Sequence, residues 1–281
     1  MTARGRRSRP RLVRPAVLGI VALVCIVGSA GAQEDFRASD PGRPLRVEDA
    51  IPLKLREWEV EFGLRAAARE QGSAALGVVE LKSGLFRNAH VGIEIEGGVE
   101  GEGGGDTASG IEAVHGHVLY QLGRETPSFP AFALRAEAGT PGTGSLGRED
   151  WSTTIEGLLT RSFGRTRIHL NGGYGVLSAV DGGDFWTAGI GLDYPLGLFS
   201  RAILGALSAE IPVDAGRSRV WLEAGSRWQI SNKSVLDIGL STRLDEWDAG
   251  NANIELIIGL SRVFGVAGLT RAPPYPNPTI R

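Results

Sequence analysis

Between Arg219 and Phe264 the chain contains three successive runs in which apolar residues recur at every second position. Val220, Leu222, Ala224, Trp228 and Ile230 share one parity of the first run, and Arg219, Glu223, Arg227 and Gln229 the other. A turn follows at Ser231-Asn232-Lys233. The second run then sets Leu236, Ile238, Leu240 and Leu244 against Asp237, Ser241 and Arg243. The third sets Ile254, Leu256, Ile258 and Leu260 against Glu255 and Ser261. Period two marks strands with one apolar and one polar face. Strands of soluble proteins are commonly about 5–6 residues long. Runs of roughly 10 match the 9–11 residues that a tilted strand needs to cross a bilayer. The expected fold is all-β: a transmembrane antiparallel up-and-down barrel.

The preceding chain supplies more strands of the same kind. Trp58, Val60, Phe62 and Leu64 alternate with Glu57, Glu59, Glu61 and Arg65; a weaker pattern covers 74–83; Val91, Ile93 and Ile95 oppose Glu94 and Glu96. Further strands are expected over 110–122, from Phe132 to a stop at Pro141, over 151–163 and over 167–176. Two more centre on Trp186–Tyr194 and Ile203–Ile211, which brings the expected count to about 12, an even number as in bacterial barrels. Connections alternate in length. The longer ones, such as 97–109, 139–150 and 245–251, are rich in Gly and Asp, whereas Gly164-Arg165 and Ser231-Asn232-Lys233 are tight. Short turns on one side and long loops on the other are the habit of outer-membrane barrels. In hydrocarbon only helices and closed sheets pair every backbone group internally, so sheet closure is required.

The N-terminus points to export. Met1–Arg14 holds six arginines and no acid, an apolar run covers 16–27, and Ser29-Ala30-Gly31-Ala32 is a small-residue cleavage site. This is the order of a secretory signal peptide over residues 1–32, cleaved after about Ala32. Its removal takes away the only cysteine, Cys25, and leaves 24 basic against 32 acidic residues, a net charge of −8. That balance argues against nucleic-acid binding. The absence of cysteine excludes a disulfide framework and a thiol nucleophile. The expected organisation is a segment at 33–55 in the periplasm or plugging the lumen, a barrel over 56–265, and a Pro-rich tail at 266–281.

Several passages carry a resemblance. They are Arg43-Pro44-Leu45-Arg46-Val47-Glu48-Asp49-Ala50, Ala131–Arg135 running to Thr140-Pro141-Gly142-Thr143-Gly144, Arg167–Tyr174 and Ser231–Gly239. Together they resemble the outer-membrane barrels grouped under the MetA pathway of phenol degradation, which are described as transporters. The resemblance implies an outer-membrane barrel that moves small solutes, hydrophobic ones among them, and it brings no catalytic residues.

On the lumen-facing parity the candidate site residues are Glu94, Glu96, Arg135, Glu137, Arg167, His169, Glu223, Arg227, Asp237, Arg243 and Glu255. Rings of mixed charge can select solutes; they can also lock a narrow lumen with internal ion pairs. His115 and His117 project from one strand face, but two ligands without convergent partners do not make a metal centre, so no metal and no cofactor is expected. An outer-membrane hydrolase would need a nucleophile, a His and an orienting group together, and no such motif is evident in the sequence. The expected function is passive passage of small solutes, with a closed structural or adhesive barrel as the alternative. The expected partners are the outer-membrane bilayer, small solutes and, during insertion, the barrel-assembly machinery.

Overall fold

The computed structural model describes residues 37–265, apart from 40, 42, 70–71, 103–106, 178–182, 198–199, 215 and 246–253. The expected signal peptide and C-terminal tail lie outside the described residues. Twelve long strands follow one another. They are β1 (Glu57–Arg69), β2 (Gly72–Phe86), β3 (Ala89–Glu102), β4 (Thr107–Gly123) and β5 (Ala131–Thr140), then, after a two-residue strand β6 (Thr143–Gly144), β7 (Ser152–Phe163) and β8 (Thr166–Leu177). The set is completed by β9 (Phe185–Leu196), β10 (Arg201–Pro212), β11 (Arg219–Ser231), β12 (Ser234–Arg243) and β13 (Ile254–Gly265). Consecutive long strands pair antiparallel, and β1 pairs with β13 from Glu57↔Gly265 to Ala68↔Ile254, which closes the sheet into a barrel. The short β6 adds to β4 at Gly110 and Ile111.

Burial follows the parity read from the sequence. Ile93, Ile155 and Leu240 are 60%, 58% and 54% exposed on the outside, whereas Glu223 and Asp237 are 1% and 0% exposed within. A soluble protein does not leave such an apolar surface uncovered; on a barrel it is the face that meets lipid. No helix among the described residues is long and apolar enough to cross a membrane. Phe86, Trp151, Phe163 and Trp186 stand out from the ends of their strands. Outward aromatics at the two rims match the interfacial girdles of such barrels.

Segregation of loop lengths is real but incomplete. The tight turns at residues 87–88, 164–165 and 232–233 share one end, and 141–151 and 244–253 share the other. At the long-loop end β1 and β2 are only two residues apart in sequence, and at the short-turn end 124–130 form a longer link. Gly164 sits at φ +61°, the left-handed conformation that this two-residue turn demands of its first residue. Strand β2 is longer than its weak pattern predicts. Ala74, Ala75 and Gly77 blur the alternation there, yet pairing with β1 and β3 continues through them.

Candidate functional site

The lumen is occupied by the chain's own N-terminal segment. Leu45, Val47 and Ala50 are 1%, 1% and 0% exposed, and Arg43, Glu48 and Asp49 are buried with them. The segment doubles back on itself. Ser39 N–H donates to the Asp49 carboxylate at 3.0 Å, Asp49 N–H donates to Ser39 O at 3.0 Å, and the Ser39 hydroxyl donates to Val47 O at 2.7 Å. It leaves the lumen at the short-turn end, where Leu53 N–H donates to His90 Nδ1 and β1 begins a few residues later.

An irregular segment has no ladder of its own, so its polar groups need partners on the wall. The inward parity supplies them. Arg46 N–H donates to Glu223 at 2.7 Å; its guanidinium lies 3.4 Å from both Glu223 and Glu255 and 4.5 Å from the centre of the Trp221 ring. Glu48 exchanges two backbone bonds with the Asn171 amide, at 2.7 and 2.8 Å. Ala50 N–H donates to Thr160 Oγ1 at 2.9 Å, and Gln121 donates to Ala50 O at 2.8 Å. Arg43 forms an ion pair with Glu61 and lies 3.8 Å from Asp237. Apolar contacts complete the fit. Leu45 and Val47 pack with Leu204 and Ala206, and Ala50 with Leu119, Ala131, Ala133 and Leu158.

Steric fit is as specific as the charge. A Cβ at Gly189 would come within 2.8 Å of Val47 Cγ2, and one at Gly191 within 3.0 Å of Val47 Cγ1. At Gly225 and Gly239 it would meet Pro44 at 2.8 and 2.6 Å. The wall is bare where the segment presses on it.

All eleven candidate residues lie on the inner parity, ten of them in three settings. Arg227 holds Asp237 at 2.5 and 3.2 Å and donates to Arg43 O; Glu223 and Glu255 hold Arg46. Arg167 and His169 meet at Asp193, at 2.8 and 3.1 Å, with Arg37 joining at 2.6 Å. Glu94, Glu96, Arg135 and Glu137 line a cavity of about 270 Å³ above the segment, towards the long loops. Arg135 binds Glu137 there and lies 3.1 Å from Glu48 and 3.7 Å from Glu156. Arg243 stands apart at the loop end of β12, 2.6 Å from Asp245.

The histidines separate. His117 Nε2 lies 3.4 Å from Glu80, whereas His115 Nδ1 faces Glu137 at 3.1 Å, so the two imidazoles do not converge. Thr160, His169 and Asp193 stand in hydrogen-bonded order, Oγ1 to Nδ1 at 3.0 Å and Nε2 to the carboxylate at 3.1 Å. A nucleophile, a base and an orienting acid have this spacing. All three are at most 1% exposed and Ala50 caps the hydroxyl, so no substrate reaches them in this arrangement. Here they work as a relay that fastens the segment to the wall.

Sequence reasoning missed the segment's Arg37, Arg43, Arg46 and Glu48 as site residues, along with Glu80, Lys82, Thr160 and Asp193 on the wall. Parity alone could have found Glu80 and Lys82, which alternate with Val79 and Leu81.

No family model matches the chain, and no curated protein does. Solved structures do. The COG4313 outer membrane channel from Pseudomonas putida F1 superposes with a TM-score of 0.65 at 13% identity, over 80% of this chain and 100% of that one. A KdgM porin solved with disordered oligogalacturonate superposes with a TM-score of 0.50 at 7% identity, over 72% and 98%. At such identities the likeness is one of architecture. The chain has the closed antiparallel barrel of outer-membrane proteins.

Proposed function

We propose that this protein is an outer-membrane channel for small solutes whose lumen is closed at rest by residues 43–50. The observation that carries the reading is the fit of that segment to a wall that is glycine where Pro44 and Val47 press. The segment joins β1 only through its C-terminal end, so it can leave the lumen without breaking a strand pair. A barrel of this size lies between side-chain-filled eight-strand barrels and open porins, so it has room for such a segment. The cavity above it, about 270 Å³, falls just below the range of about 300–1,000 Å³ typical of ligand pockets. Its Arg and Glu lining suits small polar solutes better than the hydrophobic ones that the family resemblance implies. The signal peptide delivers the chain to the periplasm, and the assembly machinery inserts it into the outer membrane. No catalytic step is needed.

The ion pairs that fasten the segment favour a second reading, a permanently closed barrel acting through its long loops. Planar-bilayer recordings separate the two. The refolded mature chain is expected to pass little current, and a chain lacking residues 37–50 is expected to give stable, stepwise openings. Silence from a deletion variant that still shows heat-dependent gel mobility would favour the closed barrel. Leu45→Cys provides an independent check, since the mature chain has no other cysteine. The thiol is expected to resist a charged maleimide in the native barrel and to react after denaturation. Rapid labelling of the native form would remove the plug from the argument.

A further inference from the structure

Within the cavity above the segment, one cluster makes no hydrogen bond or ion pair to the plug among the described residues. Glu94 and Glu96 are two apart on β3 and share the inner face; His115 on β4 is the direct cross-strand partner of Glu94. One ligand atom from each of the three lies within 4.8 Å of the others. His115 is 8% exposed. On β5 its partner is Gly139, where a Cβ would fall 2.9 Å from both Cε1 and Nδ1 of the imidazole. The ring therefore lies over a position that only glycine leaves open.

Two further observations set this cluster apart from an ordinary acidic patch. Among the described residues, Glu94 has no hydrogen-bond donor and no cation within ion-pair distance, although its neighbours do: Glu96 has Arg65 at 3.9 Å and Glu137 has Arg135. A half-buried carboxylate beside a second one calls for a counter-charge. His115 presents Nδ1 to Glu137 at 3.1 Å, which leaves Nε2 without a protein partner among the described residues. A carboxylate on one ring nitrogen is the usual way of orienting the other towards a metal.

We propose that Glu94, Glu96 and His115 form a binding site for a divalent transition-metal cation of the zinc class, with Glu137 as the residue that orients His115. Two carboxylates and an imidazole select borderline cations over calcium or magnesium, which take oxygen ligands alone. Small rotamer changes bring the three ligand atoms to the roughly 2.0–2.2 Å that zinc requires, and the cavity side supplies water for the remaining position. The site opens towards the long loops, so the cation arrives from that side. The proposal does not depend on whether the barrel conducts.

The test uses tag-free mature protein, refolded in detergent and checked for heat-dependent mobility. Zinc binding is measured by competition with a chromogenic chelator, and cobalt binding by its visible absorption. One equivalent is expected to bind, with the intense bands of a low-coordinate cobalt site. Glu94→Gln and His115→Gln are each expected to weaken zinc binding at least tenfold. Glu137→Gln is expected to weaken it about 10- to 100-fold, through orientation alone. His117→Gln, which changes the imidazole that faces Glu80, is expected to leave it unchanged. Binding that survives both Glu94→Gln and His115→Gln would mean an adventitious ion only and would overturn the proposal. So would a folded wild-type barrel that binds no zinc at millimolar concentration.

Discussion

Val47→Trp is expected to raise single-channel conductance several-fold, close to that of a chain lacking residues 37–50. Val47 is 1% exposed, and its two methyl groups occupy the spaces where side chains at Gly189 and Gly191 would stand. An indole has nowhere to go. Overpacking of a filled site costs about 1–3 kcal/mol for small additions and more for large ones. The wall is continuously hydrogen-bonded and the segment is not, so the segment is what yields. Once it has moved, the introduced tryptophan leaves with it and the lumen is wider than before. Gly189→Leu should act the same way from the other side of the contact, since nothing but Val47 closely approaches that position. Circular dichroism should stay unchanged for both. Wild-type conductance from a Val47→Trp barrel whose residue 45 stays protected from labelling would show that packing against the glycines does not hold the segment.

The second large effect concerns Arg135. Its guanidinium sits among Glu48, Glu137 and Glu156 and is about nine-tenths buried. Arg135→Met keeps the alkyl stem and removes the charge, leaving three carboxylates around an empty centre. Taking one partner from a buried charge cluster typically costs about 3–5 kcal/mol. The expected result is a lower urea midpoint for unfolding of the refolded barrel, with unchanged secondary structure below it. Protonating the carboxylates relieves the repulsion, so the gap from wild type should narrow as the pH falls. A gap that stays constant with pH would place the loss in packing instead. Glu48 belongs to the segment while Glu137 and Glu156 belong to the wall, so the same variant should also increase labelling of Leu45→Cys.

These expectations mark where the sequence was readable. Strands betray themselves by period, and the runs at 219–264 were clear because Leu, Ile and Val alternate with charged residues over whole spans. The inner face followed from the same parity, which is why all eleven candidates lie on it. Pairing was legible only where a tight turn sets the register. Thr160 and His169 face each other across the turn at 164–165, and that match can be counted off directly, whereas a bulge between Gln229 and Ser231 shifts Arg227 onto Asp237. Glu94 and His115 cannot be counted off in this way. The sequence suggests a loop over 97–109, but β3 and β4 stay paired out to Gly101↔Thr107, with a register shift between Glu96 and Gly97. The segment at 37–56 has no period at all, so the sequence left it between the periplasm and the lumen and did not single out Arg43, Arg46 and Glu48. Asp193 was hidden for another reason: its parity between Leu192 and Tyr194 places it inside, but nothing in the sequence shows that it gathers Arg37, Arg167 and His169.

The pairing of β1 with β13 also fixes an order of events during biogenesis. Residues 43–50 are made before any strand, but their partners Glu223, Asp237 and Glu255 lie on the last three strands. The segment cannot complete its contacts before those strands exist. Its seating therefore accompanies or follows closure of the seam and cannot precede it. The newly made chain must keep its first residues from their final partners until its last residues arrive.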